Sequence, residues 1–312
     1  MRHSNRNERG QVFAMTAIAM VALVGLAAFV LDVGAWFRAD REIQKVADAA
    51  ALAGAQELPD DPGGAIALAK SYVTKNDGPT PTSVTVTSDK GTNDTIRVVL
   101  DDETPGFLSN VFGISAVDIG AKAAARAALP AKVRWIAPIV VNEKHPALNC
   151  GTGAFGKPKP CEGLDTTLNY YNLSDKGPDA AGSFGFLDLT GESSGTNDLK
   201  EQLEDGYDDY VSVGNFSART GNPFSAITSE IDQHINIGDE LLFPIYSRII
   251  RSGTKATYVI VGFAAFVITG KDFSGKNEKL FGHFTGNVSW DSIEDDSGKA
   301  TDFGVRTIIL SE

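Results

Sequence analysis

The residue types that do chemistry are sparse in this sequence. Four histidines, His3, His145, His234 and His283, stand far apart. None falls in a Gly-x-Ser-x-Gly elbow, a His-Glu-x-x-His helix or a phosphate loop, the arrangements that hold a nucleophile, a metal or a phosphate. The acidic runs Asp205-Gly206-Tyr207-Asp208-Asp209 and Glu294-Asp295-Asp296 lack the alternate-ligand spacing of a calcium loop and read as solvated surface. Cys150 and Cys161 bracket the loop GTGAFGKPKP. A disulfide closing such a loop contributes roughly 2–3 kcal/mol. The alternative, a metal site made by the pair with His145, lacks paired zinc-ligand spacing. No catalytic, metal-binding or cofactor-binding residue is assigned, no cofactor is expected, and the chain is expected not to be an enzyme.

Asp32 is of a different kind. It follows 21 uncharged positions, Gln11 to Leu31, and precedes Val33, Ala35, Trp36 and Phe37. An ionisable group at the end of such a helix costs energy unless it reaches water or a partner. It either lies at the membrane–water interface with Trp36 as an anchor, or makes a polar contact to a neighbouring helix. Further along, Ala47, Ala50, Ala51 and Gly54 place small residues three and four apart, a face that lets another backbone approach closely. That face either packs on the helix's own domain or meets a partner helix. Asp32, Ala47, Ala50, Ala51 and Gly54 are the candidate interaction residues.

These residues depend on one long element. At 1.5 Å per residue, Gln11–Leu31 spans roughly 31 Å, about the thickness of a bilayer's hydrocarbon core. A cleaved signal peptide, with Val33-Gly34-Ala35 as its site, is the alternative, but the apolar stretch exceeds a signal's usual roughly 7–15 residues. A buried core helix is the other alternative; Gly25 is the only helix-weakening residue within the stretch, and no polar face exists. Arg2, Arg6 and Arg9 precede the span while Arg38, Arg41 and Lys45 follow it, so the positive-inside count is close to a tie. The cysteine pair breaks the tie, because a disulfide implies an oxidising compartment and puts the body outside the cytoplasm.

Helical spacing continues through Ile43, Val46, Ala50 and Ala53 until Pro59-Asp60-Asp61-Pro62 stops it. A short amphipathic helix, Ala65 to Thr74, follows. Ser83–Thr87 and Thr95–Leu100 flank turn chemistry and predict a hairpin. Thr104-Pro105-Gly106 opens a short helix through Phe112, and Ser115–Leu129 alternates as a third strand. Beyond Leu129-Pro130 the pattern is mostly β: Val133–Asn142, Ser183–Leu189, Glu240–Arg251, Ala256–Thr269, Lys279–Gly286 and Gly304–Leu310. Two short helices, Asn197–Asp205 and Pro223–Ile235, interrupt it. The predicted class is α+β: a transmembrane helix continuing into a pilin-like helix with a small antiparallel sheet, then a mostly β domain. The expected units are 1–56, 57–129 and 130–312. Residues after 56 carry 22 Lys/Arg against 35 Asp/Glu, which argues against nucleic acid and against anionic headgroups as partners.

The first segment resembles the N-terminal part of TadE/TadG-like proteins of the bacterial tight-adherence (Flp) pilus assembly system. The matching residues are Arg9-Gly10-Gln11, the apolar run, Leu31-Asp32-Val33-Gly34, and Gln44 with Ala47-Asp48-Ala49-Ala50-Ala51-Leu52-Ala53-Gly54-Ala55. Weaker likeness continues through Pro105-Gly106-Phe107, Ala121–Ala128, Gly182-Ser183-Phe184-Gly185, Gly221-Asn222-Pro223 and Val261-Gly262-Phe263-Ala264. The resemblance implies a single-pass inner-membrane protein with an extracytoplasmic body, a role in assembling, anchoring or secreting an adhesive pilus, and pilus-assembly or pilin-like partners beside the lipid bilayer. It does not extend to prepilin cleavage, because Met15 stands at the fifth place after Gly10 where prepilins of this system have Glu. Nor does it extend to metal-dependent adhesion, since no DxSxS motif is present. The expected function is a noncatalytic membrane-anchored accessory component of that apparatus. The alternative is a surface or periplasmic module whose β domain binds a glycan or protein ligand, and an enzyme comes third.

Overall fold

The computed structural model describes residues 8–156, 158–170, 183–190, 196–219, 235–250, 256–273, 278–288, 291–295 and 298–311. Expectations for Arg2, Arg6, His3, His234, Asp296, Gly182, Gly221-Asn222-Pro223 and the helix from Pro223, apart from Ile235, lie outside the described residues. The fold is α+β, with a long apolar N-terminal helix, antiparallel sheets and a mostly β remainder.

Helix α1 runs unbroken over Glu8–Ala55, 48 residues, or about 72 Å. No proline interrupts it, since the first in the chain is Pro59. Helix α2 (Pro62–Lys75) folds back on it. Asp61 caps α2, its Oδ1 accepting the Gly64 N–H at 2.8 Å, and Pro62 takes a first-turn place that needs no donor.

Strands β1 (Ser83–Thr87), β2 (Thr95–Pro105) and β3 (Ala116–Ala128) form two antiparallel hairpins across α1. The helix expected from Thr104 shrinks to one 3-10 turn, Ser109–Phe112, because the β2–β3 ladder continues to Pro105 opposite Ala116. The sheet gains an edge from far away in sequence. Strand β15 (Val305–Ser311) pairs antiparallel with β3, from Thr307 opposite Ala128 to Ser311 opposite Ala124. The boundary drawn at residues 129/130 is therefore crossed by a strand belonging to the first sheet.

Between them lies a mixed barrel. Strands β5 (Ile139–Asn142), β6 (Thr166–Tyr170), β7 (Ser183–Phe186), β10 (Glu240–Ile250), β11 (Thr257–Asp272) and β12 (Lys279–Thr285) bond in the order β10-β5-β7-β6-β12-β11, and β11 pairs back onto β10. Closing the ring removes exposed edges. One face of every strand feeds a shared core in which Phe184, Phe243, Phe266 and Phe284 are buried. The Phe266 ring lies 5.4 Å from that of Phe243 and 5.0 Å from that of Phe284, within aromatic pairing distance. Leu199 and Leu203 of α3 (Thr196–Glu204) join this core. Strand β9 (Gly214–Ser217) extends β11, β13 (Asn287–Val288) pairs with β15, and β4 (Pro130–Val133), β8 (Val211–Ser212) and β14 (Ser292–Glu294) make a small third sheet. The stretch Val133–Asn142, expected as one strand, is split between β4 and β5 at Trp135, whose φ of 59° is foreign to extended backbone.

Candidate membrane and assembly interface

Helix α1 has two halves of opposite character. Every large apolar side chain from Val12 to Leu31 is more than 60 % exposed, an apolar surface that a water-soluble helix would bury. The helix is long and apolar enough to cross a membrane once. From Ile43 to Ala55 the same helix is sunk into the body, with Ala47, Ala50, Ala51 and Ala55 fully buried.

At the change of character stands Asp32, 2 % exposed. Its carboxylate accepts three consecutive backbone N–H groups, from Phe107 at 3.2 Å, Leu108 at 2.9 Å and Ser109 at 2.5 Å. Ser109 begins the 3-10 turn, so these amides have no carbonyl of their own turn to bond, and a carboxylate is a strong acceptor for them. The loop behind them is closed by Gly106 N–H to the Ser115 carbonyl at 2.9 Å and Ser109 Oγ to the Ile114 carbonyl at 3.1 Å. The polar contact of Asp32 is thus made within the chain, to its own hairpin tip, at the end of the apolar run.

For the small-residue face, the structure shows the first of the two expected arrangements, packing on the helix's own domain. It is covered by α2 and the sheet, in a core with Ala65, Ala69, Ile96, Val98 and Leu100. A Cβ on Gly54 would lie 2.6 Å from Ile96 Cδ1 and 2.8 Å from the Ala65 carbonyl oxygen, closer than packed atoms tolerate. The backbone that the small residues admit is therefore that of α2, and no groove remains there for another helix. Gln44, noticed in the sequence only within a pattern, ties helix to sheet by donating to the Lys122 carbonyl at 3.1 Å, and also donates to Asp48 one turn on in α1 at 2.7 Å.

Cys150 and Cys161 form a disulfide with Cα atoms 5.0 Å apart. The loop they close leans on the β1–β2 turn: Thr92 N–H donates to the Ala154 carbonyl at 3.0 Å, and Arg306 stacks on Phe155 with 5.5 Å to the ring centre. Arg306 is also held by Asp302, with guanidinium-to-carboxylate distances of 2.5 and 3.0 Å, a bidentate buried pair.

Of the described histidines, His145 is buried. Its Nδ1 accepts the Ala147 N–H at 3.1 Å, and its ring meets Phe284 edge-on. His283 lies 3.6 Å from Asp165. Among the described residues no three His, Cys, Asp or Glu side chains are placed to hold a metal ion. Asp205, Asp208 and Asp209 are exposed. The Asp208 carbonyl accepts from Arg134 Nε at 2.8 Å, and Glu294 accepts from Arg126 at 2.6 Å and Lys90 at 2.8 Å. Sequence reading reached Phe107 only through the weaker Pro105-Gly106-Phe107 likeness and did not find Leu108 and Ser109. Their contribution is through backbone amides, and the turn signal at Thr104-Pro105-Gly106 marks the place.

No curated protein and no solved structure matches the chain. Residues 10–57 match the family described as "Putative Flp pilus-assembly TadE/G-like". Those residues include most of the membrane-length helix and the seam just described, so the chain carries a TadE/G-like segment, and the likeness is confined to α1 and the two residues after it.

Proposed function

We propose that this protein is a noncatalytic accessory component of a Flp/Tad pilus-assembly or secretion apparatus. It is held by α1 in the bacterial inner membrane, with its body outside the cytoplasm. The observation that carries the reading is the TadE/G-like helix itself, its large apolar side chains bare from Val12 to Leu31 and the helix built into a folded body thereafter. The disulfide supports the orientation, since such bonds persist in oxidising compartments. With the seam of α1 filled by its own body, contact to other assembly proteins falls to the bare helix and to the outer faces of the barrel. The test is genetic. Deleting the gene in its native host should abolish or reduce surface pili, and the full chain should restore them where a chain lacking residues 1–31 does not. Normal piliation in the deletion strain overturns the assembly role.

One cleft favours the second reading, a ligand-binding module. Trp135, 45 % exposed, and Tyr207 border a cavity of about 640 Å³ with Asp198, Glu201 and Asp205. An aromatic and acidic wall of this kind suits a cationic or sugar-like ligand. A host that makes normal pili without the gene but loses surface attachment would favour that reading over assembly.

A further inference from the structure

The β2–β3 tip is apolar, exposed and placed at the membrane's edge. Between Glu103 and Asp118 there is no formal charge. Within this stretch Phe107 is 85 % exposed, Val111 81 % and Ile114 48 %. Such a cluster on a water-facing loop marks a contact surface. Its height is fixed by bonds already described: Phe107, Leu108 and Ser109 hang on Asp32, the residue next after the apolar run. The hairpin then climbs along α1 away from the membrane, reaching Gln44 beside Lys122, twelve residues or about 18 Å further up the helix. The exposed acids Asp101, Asp102, Glu103 and Asp118 sit behind the tip on its two strands. They resist entry among anionic headgroups, while the uncharged tip does not.

We infer that residues 104–117 form a second membrane-contacting element, with Phe107 and Val111 inserted in the interfacial layer of the leaflet that faces the body. This rests on the reading of α1 as a membrane anchor. The occupant of the patch is lipid, because the patch is continuous with the apolar surface of α1 and is tethered at its boundary. The element acts as a shallow foot that fixes the tilt of α1 against the body, as interfacial apolar side chains do.

The test uses the full chain in phosphatidylethanolamine–phosphatidylglycerol nanodiscs. The native cysteines are paired with each other, so single substitutions Phe107→Cys, Val111→Cys, Val24→Cys and Lys122→Cys can each take one nitroxide label. Oxygen partitions into lipid and a nickel chelate into water. The ratio of their effects should be several-fold higher at Phe107 and Val111 than at Lys122, and should approach that at Val24. A lipid signal at Val24 with a water signal at Phe107 and Val111 overturns the foot and leaves the anchor standing. A water signal at Val24 overturns the anchor and the foot with it. Labels at Phe107 and Val111 shielded from both reagents show protein contact instead, which also overturns the proposal.

Discussion

The two ends of β2 are each held by a buried aspartate that gathers three backbone amides, yet they are held differently. At the end far from the membrane, Asp94 accepts from Asp89 at 2.8 Å, Lys90 at 2.8 Å and Gly91 at 2.7 Å. The donors are within five residues of the acceptor, and the turn is further braced by the disulfide loop and by Glu294. At the membrane end, Asp32 gathers the same number of amides from residues 75 to 77 positions away. One knot shapes a turn, and the other joins two elements that would otherwise only lie side by side. Identical chemistry can thus serve local folding or long-range positioning, and the difference lies in sequence separation.

The widest way to break this arrangement is to push α1 off the sheet that both knots brace. Ala50→Leu with Gly54→Leu overfills a seam that has no room even for a Cβ at Gly54. A loss of about 3 kcal/mol or more is expected, since overpacking costs 1–3 kcal/mol per site. Denaturant titration in detergent checks it. Ala50 is fully buried in the body's first core and Gly54 is buried one turn on, so a variant with unchanged stability would contradict the seam.

Next come the two aspartates, compared directly. Asp94→Ala leaves three partly buried amides unbonded at a turn and should cost about 2–3 kcal/mol, the range for bonds to a charged group. Asp32→Ala should cost under about 1 kcal/mol in the same titration, because the β2–β3 ladder outlives the lost tether. Its signature is faster hydrogen exchange at Phe107–Ser109 with little change at Asp89–Gly91. Equal losses of stability would show that the membrane-side knot is as much a folding element as the other.

Removing the brace behind the distal turn sharpens the contrast further. Cys150→Ala with Cys161→Ala should lower stability by about 2 kcal/mol through the less constrained unfolded chain. It should loosen Thr92 but not Phe107, readable by exchange at the two amides.

The smallest expected effect is a pH term from a local knot in the barrel. Burial pushes the His145 imidazole below its ordinary value of 6.5, against a smaller opposite effect of a backbone hydrogen bond with Thr167. The neutral ring is the one that accepts the Ala147 N–H. Its contribution is fully present above the unfolded value near 6.5. It is lost as pH falls from there toward the lower folded value, where the unfolded chain binds the proton first. His145→Gln should flatten the stability difference between pH 7.5 and 5.5 relative to the unsubstituted protein.

Some of this was legible without coordinates. The span Gln11–Leu31 is visible because a charge-free run that long has few other uses. The small face of α1 is visible because Ala47, Ala50, Ala51 and Gly54 recur at helical spacing. What fills that face was not, because Ala65, Ala69 and Ile96 are neighbours only after the chain turns back. Asp32 stood out as a charge in the wrong place, but its partners are amides, which every residue but proline carries and no pattern records. Strands β6 and β9, TTLNY and GNFS, escaped notice because they are short and alternate poorly. Strand β15 was anticipated as a strand, while its membership in the first sheet was set by a pairing that local periodicity cannot express.

That membership has a consequence for how the molecule is made. As the chain emerges from the ribosome, β3 is complete by residue 128, but its second neighbour does not exist until residues 305–311 have been added. Throughout the synthesis of the barrel, β3 keeps a row of unbonded edge groups, the kind that pairs with other chains when left open. The first unit built is thereby the last one sealed. A chain broken off anywhere in the barrel would display that open edge on the unit nearest its membrane helix, where folding helpers and proteases can read it as unfinished.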